Sequence, residues 1–390
     1  MTGLKIYGTG WCPDCQQVRK LLGGHRIPYT WIDVETDPRG LAFIEQVAGK
    51  QAVPVVALED GTVLVQPPRD DLARRLNLPP KERCRFADLV IVGGGPAGLT
   101  AAIYAAREGL ETLVLEKQAV GGQAAITESI ENFPGFPDAV GGLELAGRLE
   151  RQAKRFGVTL HFGAAQAIEG DGDYRIVRTD NGEEFCSWAV ILATGSFYKR
   201  LGVPGEERFI GRGVHFCATC DGPFYEGEEL AVVGGGNSAV EEGLFLTRFA
   251  SKVTLLVRGG ELKASRILIE KIRNHPKVQV RYRSAVEEFR GDGKFQGIRV
   301  RHLDTGAAEE LTPGGVFVFI GMEPNTQFLK GAIDLDPWGF VLTGPTLETS
   351  TKGVFACGDV RAGSTKQVAS AAGEGATAAL MVREYLKGLV

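Results

Sequence analysis

Four of the seven cysteines stand in two Cys-x-x-Cys pairs, Cys12/Cys15 and Cys217/Cys220. At that spacing two sulfurs close a small ring and one thiol's pKa falls, as dithiol–disulfide exchange requires. Cys12-Pro13-Asp14-Cys15 sits at the start of an expected helix, where unsatisfied backbone N–H groups favour a Cys12 thiolate. Val53-Pro54 is expected as a cis peptide beside it. Asp221 follows directly on Cys220 and is positioned to move protons to and from a thiolate; the plainer alternative is a turn or capping aspartate. Zinc would need two further ligands at suitable spacing, and no second pair or histidine cluster lies close by, so no metal is expected. Cys84, Cys186 and Cys357 have no partner in sequence and read as buried small apolar residues.

Two glycine motifs supply the second chemistry. Gly93-Gly94-Gly95-Pro96-Ala97-Gly98 follows the expected strand Leu89–Val92, opens an Ala-rich helix, and leads to the strand Thr112–Leu115 ending at Glu116. In that context Gly93 permits a tight turn, Gly95 lets the backbone approach a pyrophosphate, and Gly98 lets helix and strand pack closely. Glu116 lies at the offset of a carboxylate that binds a ribose hydroxyl. The second copy, Gly234-Gly235-Gly236-Asn237-Ser238-Ala239, follows Leu230–Val233 and leads through a helix to the strand Val253–Val257. There the carboxylate position is Val257, and Arg258 follows with Lys263 nearby, which suits a 2′-phosphate. The first site reads as FAD, the second as NADPH. Near the C-terminus, Gly353–Asp359 is an apolar strand ending in Gly-Asp before a long Ala-rich helix, a layout that brings Asp359 to a ribityl or ribose hydroxyl.

Smaller elements must position the first pair. Leu4–Tyr7 and Tyr29–Val34 read as strands, the segment after Cys12 and Leu41–Val47 as helices, and 53–58 with 62–65 as a hairpin about Asp60-Gly61. Asp70 or Asp71 is expected to cap a final helix. Residues 79–86, with two prolines and several charges, read as an exposed linker.

Composition excludes several classes. A chain of 390 residues implies two or three domains, and 44% hydrophobic with 24% charged residues is globular. A net charge of −4 gives no reason to expect nucleic acid or an anionic membrane as partner. No apolar run of ~18 residues supports a membrane span, and no signal peptide is evident, so a cytoplasmic location is expected.

At these residues the chain resembles bacterial low-molecular-weight thioredoxin reductases over residues 87–390. The likeness rests on Gly93–Gly98, Gly121-Gly122-Gln123, Ile130–Gly135, Ala193-Thr194-Gly195, Cys217–Asp221, Gly234–Glu242 and Gly358-Asp359. Residues 3–78 resemble glutaredoxins and mycoredoxins through Trp11–Cys15, Val53-Pro54 and Asp70-Asp71. The resemblance implies an α/β protein: a thioredoxin-fold domain (1–78), a linker (79–86), and two Rossmann-like three-layer dinucleotide-binding domains. The second of these is inserted in the first, giving FAD-binding parts at 87–196 and 322–390 around an NADPH-binding domain at 197–321.

It also implies FAD contacts at Glu116, Lys117, Gly121, Gly122, Gln123, Asn132, Asp359, Lys366, Gln367 and Val368. Cys220 is implied to be the sulfur nearer the flavin and Cys217 the one that attacks the outgoing disulfide, in a homodimer. Two departures bear on specificity. The family's His-Arg-Arg run is here Val257-Arg258-Gly259, and Pro67-Pro68-Arg69 replaces a Gly-Gly that helps hold glutathione.

The expected function is a flavoprotein disulfide reductase passing electrons from NADPH via FAD to Cys217/Cys220. The acceptor is then the fused Cys12/Cys15 domain or a separate thioredoxin or glutaredoxin-like protein. The alternatives are the same chemistry with NADH or a ferredoxin as donor, and a redox sensor or adaptor with little turnover.

Overall fold

The computed structural model describes residues 3–127 and 130–389. The chain opens with β1 (Lys5–Gly8), α1 (Pro13–Gly24), β2 (Thr30–Asp33), α2 (Pro38–Ala48), β3 (Val55–Ala57), β4 (Val63–Val65) and α3 (Arg69–Arg75). The sheet order is β2-β1-β3-β4, with β1 and β2 parallel and the rest antiparallel. Ile6, Val18, Leu22, Val56 and Leu72 fill one side of this sheet and Tyr7, Ile44 and Val55 the other. α2 begins earlier than its apolar stripe suggests, because Asp37 accepts from the N–H groups of Arg39 and Gly40 and Pro38 sets the first helical φ. α3 carries no side-chain cap: Pro68 occupies the cap position, and Asp70 and Asp71 lie inside the first turn, where they complement the helix dipole instead.

The expected linker is tethered along much of its length. Pro79–Lys81 is exposed, but Glu82 pairs with Arg69, and the N–H groups of Arg83 and Cys84 bond to the Gly24 carbonyl at 2.8 and 3.3 Å. β5 (Arg85–Phe86) then joins a sheet, and Cys84 forms a disulfide with Cys186. Two of the three cysteines without a sequence partner are therefore paired with each other. All three are buried, as expected of them.

β6 (Leu89–Val92), α4 (Pro96–Arg107), β7 (Thr112–Glu116), α5 (Gly122–Ala125), α6 (Gly142–Arg155) and β8 (Thr159–Phe162) follow. β9 (Ala165–Asp171), β10 (Tyr174–Thr179) and β11 (Glu184–Ser187) build the sheet that β5 extends, in the order β5-β11-β10-β9. β12 (Ala189–Leu192) returns to the parallel sheet.

The chain then enters a second unit through β13 (Ser196–Tyr198), α7 (Glu206–Phe209), β14 (Val214–His215), α8 (Ala218–Asp221), β15 (Glu229–Val233), α9 (Asn237–Leu246), β16 (Lys252–Leu256), α10 (Arg266–Arg273) and β17 (Val278–Arg281). β18 (Ser284–Arg290), β19 (Gly297–His302) and β20 (Ala308–Leu311) form an antiparallel sheet before β21 (Gly315–Val318) and β22 (Met322–Pro324). The five-stranded sheet of this unit runs β14-β21-β15-β16-β17, all parallel.

Finally β23 (Val354–Ala356) and α11 (Val368–Leu389) complete the first unit, whose parallel sheet runs β23-β12-β6-β7-β8. By contacts the first unit comprises Met1–Ala125, Gly142–Gly195 and Pro324–Val390, and the second Ile126–Gly141 and Ser196–Glu323. Strands buried on both faces, such as Leu89–Val92 and Ala189–Leu192, read as unbroken apolar runs because helices cover a parallel sheet.

Within the first unit the N-terminal domain packs on the β5–β11 layer. Arg19 Nη2 lies 2.6 Å from Asp88 Oδ1, both nearly buried, and Asp88 Oδ2 accepts from the Glu111 N–H. The Tyr174 hydroxyl donates to the Ile27 carbonyl at 2.8 Å, and Tyr29, Phe86 and Tyr174 surround Trp188. Gly23 faces the Phe86 ring so closely that an added Cβ would lie 2.3 Å from it. Aromatic pairs of this kind contribute about 0.5–1.5 kcal/mol each beyond their burial.

Candidate functional site

The first glycine turn is closed to side chains where it meets protein and open where it meets none. A Cβ on Gly93, whose φ is +111°, would lie 2.3 Å from the Ala193 carbonyl oxygen, and one on Gly98 would lie 1.9 Å from the Gly93 carbonyl oxygen. Gly95 has nothing within 4 Å of its Cβ position. It caps α4 without a side-chain hydrogen bond, so the first N–H groups of α4, after Pro96, face open space above buried Ala97. Glu116, at the end of β7, accepts from the N–H groups of Gly94 (2.7 Å) and Gln118 (3.0 Å), which fixes its carboxylate beside the turn.

Gly121 and Gly122 come to the same place. The Gly121 N–H donates to the Gly94 carbonyl at 2.8 Å, and a Cβ on Gly122 would lie 3.5 Å from the Gly95 Cα. Lys117 and Gln123 are exposed nearby in sequence, whereas Asn132 belongs to the segment that groups with the second unit.

The C-terminal segment closes over α4. A Cβ on Gly375 would lie 2.2 Å from the Ala97 carbonyl oxygen, and one on Gly358 would lie 2.9 Å from the Ala97 Cβ. Asp359 is mostly buried; that burial raises its pKa, partly offset by Lys366, and Ser364 Oγ donates to it at 3.2 Å. Lys366 Nζ donates to the Asp359 carbonyl at 2.6 Å, and its own pKa is lowered by burial. Gln367 stands just ahead of α11, which Val368 begins. Sequence reasoning missed Glu374, which accepts from the Gly358 N–H at 2.7 Å and pairs with Arg361. The signal available was a carboxylate within the Ala-rich first half of the helix.

In the second unit the same geometry recurs. A Cβ on Gly234 would lie 2.3 Å from the Phe319 carbonyl oxygen, while Gly236 is open and caps α9 without a side chain. Asn237 Oδ1 accepts from the Ser265 N–H, Ser238 is exposed on the first turn of α9, and Ala239 is buried under Gly234. The Lys263 N–H donates to the Gly235 carbonyl at 2.7 Å, which brings this residue to the turn. Arg258 is exposed at the end of β16, with no ion-pair partner among the described residues. Arg283, which the sequence did not single out, donates from its N–H to the Gly259 carbonyl, and its guanidinium lies beside Gly260. Arg283 also pairs with Asp304 at 3.7 Å, and Val257 stands at the Glu116-equivalent position, so no carboxylate does.

Cys217 caps α8, a single turn, and its sulfur accepts from the Cys220 N–H at 3.1 Å; the two sulfurs are bonded. Both cysteines are half-buried. Asp221 ends this turn, and its Oδ2 lies 3.3 Å from His215 Nδ1.

In the N-terminal domain Cys12 caps α1 and its sulfur accepts from the Cys15 N–H at 3.4 Å, with both cysteines unbonded. The Val53–Pro54 bond is cis, and the Cys12 thiol faces the Val53 carbonyl at 3.9 Å. Burial, reinforced by Cys12, pushes the Cys15 thiol up to about 12. This pair has the asymmetry of a dithiol couple, with one sulfur at a helix N-terminus and the other held protonated in the interior.

Comparison with known proteins agrees with this geometry. Residues 87–375 match the family described as Pyridine nucleotide-disulphide oxidoreductase, and residues 4–63 match Glutaredoxin. The chain is 41% identical over 306 residues to a thioredoxin reductase of Bacillus subtilis (strain 168), covering 78% of this chain and 96% of that protein. It is also 41% identical over 302 residues to a 34.2 kDa protein in the rubredoxin operon of Clostridium pasteurianum, covering 77% and 97%. The structure of thioredoxin reductase from Streptococcus pyogenes MGAS5005 superposes with a TM-score of 0.75 at 41% identity, over 78% of this chain and 99% of that one. With paired cysteines, twin glycine turns and these relatives, the chain belongs to the pyridine nucleotide-disulphide oxidoreductase family, as a disulfide oxidoreductase of the thioredoxin reductase type carrying an N-terminal glutaredoxin domain.

Proposed function

We propose that the chain is an NADPH-dependent, FAD-containing disulfide reductase that passes electrons to Cys217/Cys220. From there they go to the fused Cys12/Cys15 pair or to a separate thioredoxin-type protein. The observation that carries this reading is the contrast between two otherwise similar glycine turns, one beside the fixed carboxylate of Glu116 and the other with Val257 at that position, followed by exposed Arg258 and with the Lys263 N–H bonded to the Gly235 carbonyl.

The residues of the first turn fit FAD. The open space over Gly95 admits a pyrophosphate to the uncapped start of α4, Glu116 accepts from a ribose hydroxyl, and buried Asp359 has a carboxylate ready for a ribityl hydroxyl. FAD, when bound, supplies the exchange of a hydride for an electron pair that thiols alone cannot perform. The chain's own part is to hold the nucleotides and to manage protons. When Cys217–Cys220 takes up an electron pair its S–S bond breaks, and Asp221 gives a proton to one sulfur and leaves the other as thiolate. Cys217, at the head of α8, is the sulfur that attacks the acceptor disulfide.

No helix among the described residues is long and apolar enough to cross a membrane. A homodimer is the assembly that the family resemblance implies.

The test is anaerobic titration of the purified protein with NADPH and with NADH, following visible absorbance. One FAD per chain and full bleaching by about one equivalent of NADPH are expected. A folded, colourless protein that takes up no FAD would sink the reading. Bleaching by NADH alone, or only by a reduced ferredoxin, would replace its donor.

A further inference from the structure

His215 lies two residues before Cys217, at the end of β14, and Tyr225 lies five residues beyond Cys220, at the end of the turn Gly222–Tyr225. The structure joins them to Asp221 in one chain of contacts. Tyr225 Oη is 2.6 Å from His215 Nε2, and His215 Nδ1 is 3.3 Å from Asp221 Oδ2. The imidazole is only 6% exposed. It stacks on Phe317 of β21, with centroids 5.2 Å apart, and meets Tyr225 edge-on. Tyr225 in turn covers Gly315, where an added Cβ would fall 2.8 Å from the phenol ring. The ring of His215 therefore has one place to sit, and its two nitrogens have one partner each.

The direction of the hydrogen bonds follows from the partners. Burial, with Asp221 and Glu228 adding to it, pushes the Tyr225 phenol up to about 12, so Tyr225 keeps its proton at neutral pH. Its hydroxyl donates to Nε2. In the neutral imidazole the ring proton is then on Nδ1, which faces Asp221 Oδ2 across 3.3 Å.

We propose that His215 is a positioning residue for the dithiol chemistry: it holds the Asp221 carboxylate beside Cys217–Cys220 and disperses its charge, while Tyr225 fixes the imidazole tautomer. The proposal rests on the reading of Asp221 as the proton carrier. On reduction the S–S bond breaks, the entering electron pair reduces both sulfurs, one proton from solvent passes through Asp221 to one sulfur, and the other sulfur is left as thiolate beside the Asp221 carboxylate. Other charges face this group. Glu228 stands near Tyr225, the Arg200 guanidinium lies over the Phe216 ring, and Glu242 of α9 approaches the Ala218 backbone.

The experiment uses the FAD-loaded full chain. Its variants are His215→Leu, which donates nothing, His215→Asn, whose amide N–H stands close to the place of Nδ1, and Tyr225→Phe. Two readouts are taken: steady-state kinetics, and the pH profile of alkylation of the reduced Cys217/Cys220 pair with Cys12 and Cys15 replaced by Ser. For His215→Leu, kcat falls roughly tenfold with the KM for NADPH unchanged. The alkylation midpoint rises by about half a pH unit or more, because the thiolate then forms against an undispersed carboxylate charge. His215→Asn returns both values toward wild type, and Tyr225→Phe shifts the midpoint in the same direction by less.

Wild-type midpoints in both His215→Leu and Tyr225→Phe overturn the proposal. Should the leucine variant fail to fold, a wild-type midpoint in Tyr225→Phe alone does so. Asp221→Asn separates the two readings. If it leaves turnover unchanged, the proton-carrier reading itself fails; if it slows turnover while the His215 variants are silent, only the present inference fails.

Discussion

Cys84 and Cys186 are joined by a disulfide across 102 residues of sequence, with their Cα atoms 5.9 Å apart. The bond fastens the end of the connecting segment to β11, the strand on which β5 lies. Arg26, at the end of the N-terminal domain's first helix–loop, donates to the Cys186 sulfur and pairs with Glu184 of the same strand. The bond thus pins the end of the connecting segment to the sheet that β5 enters, and Arg26 ties the N-terminal domain to the same strand by non-covalent contacts.

Three free thiols per chain are therefore expected in denatured, unreduced protein, those of Cys12, Cys15 and Cys357. Replacing Cys84 and Cys186 by Ala removes a long-loop cross-link and should cost about 2–5 kcal/mol of stability, read as a lower denaturant midpoint under oxidising conditions. Five free thiols, or identical unfolding curves with and without the substitutions, would refute the cross-link.

The high proton affinity of Cys15 has a consequence for alkaline stability. Its folded value of about 12 lies above the ordinary thiol value of 9.0, with burial the main cause. The folded state therefore binds the proton more tightly than the unfolded chain does. The resulting stabilisation is complete below pH ~9 and is lost as pH rises towards ~12. Reduced protein should lose stability through that window, and Cys15→Ala should flatten the loss. Iodoacetamide at pH 8 should label Cys12 and leave Cys15 untouched. Preferential labelling of Cys15 would reverse the assignment of the attacking sulfur.

On the proposed reading, the choice of NADPH over NADH rests on the exposed Arg258. A charge-assisted contact from Arg258 to a 2′-phosphate is worth roughly 1.5–3 kcal/mol. Arg258→Ala should accordingly raise the KM for NADPH roughly ten- to a hundredfold and leave that for NADH nearly unchanged. Equal effects on both nucleotides would show that Arg258 does not read the phosphate, and the same measurement on Arg283→Ala would test the neighbouring guanidinium.

Where the chemistry is local, the sequence was legible. A glycine turn between a strand and a helix imposes close backbone approach within a few residues, and Gly98 meets the Gly93 carbonyl that such a turn implies. A cysteine at a helix start is likewise a local event, as at Cys12. What escaped detection is set by residues far apart. β5 is two residues long and carries no periodicity, so nothing nearby announces that Cys84 lies against Cys186. Arg19 and Asp88 are 69 residues apart, and nothing near either announces their pairing. The Asp70 and Asp71 caps failed for a local reason that was available: Pro68 already supplies an extended residue at the helix entrance.

The docked N-terminal domain changes how a relay must be tested. A loose tether would give local concentrations on the order of millimolar and no preferred placement. Here Arg19, Tyr29 and Gly23 are committed to Asp88, Trp188 and Phe86, so the domain is held on its partner layer in the first unit. Arg19→Met leaves Asp88 buried with no cation and should cost about 3 kcal/mol. It should also loosen the domain, without touching Cys12 or Cys15. If docking serves electron delivery, this variant should slow reduction of an external disulfide while NADPH-driven reduction of Cys217–Cys220 stays at the wild-type rate. Cys12→Ser should abolish the external reduction and spare the same first step. Full external activity in Cys12→Ser would show that the fused domain is not on the electron path. Full activity in Arg19→Met, at confirmed loss of stability, would show that the docked arrangement holds the domain without guiding electrons to it.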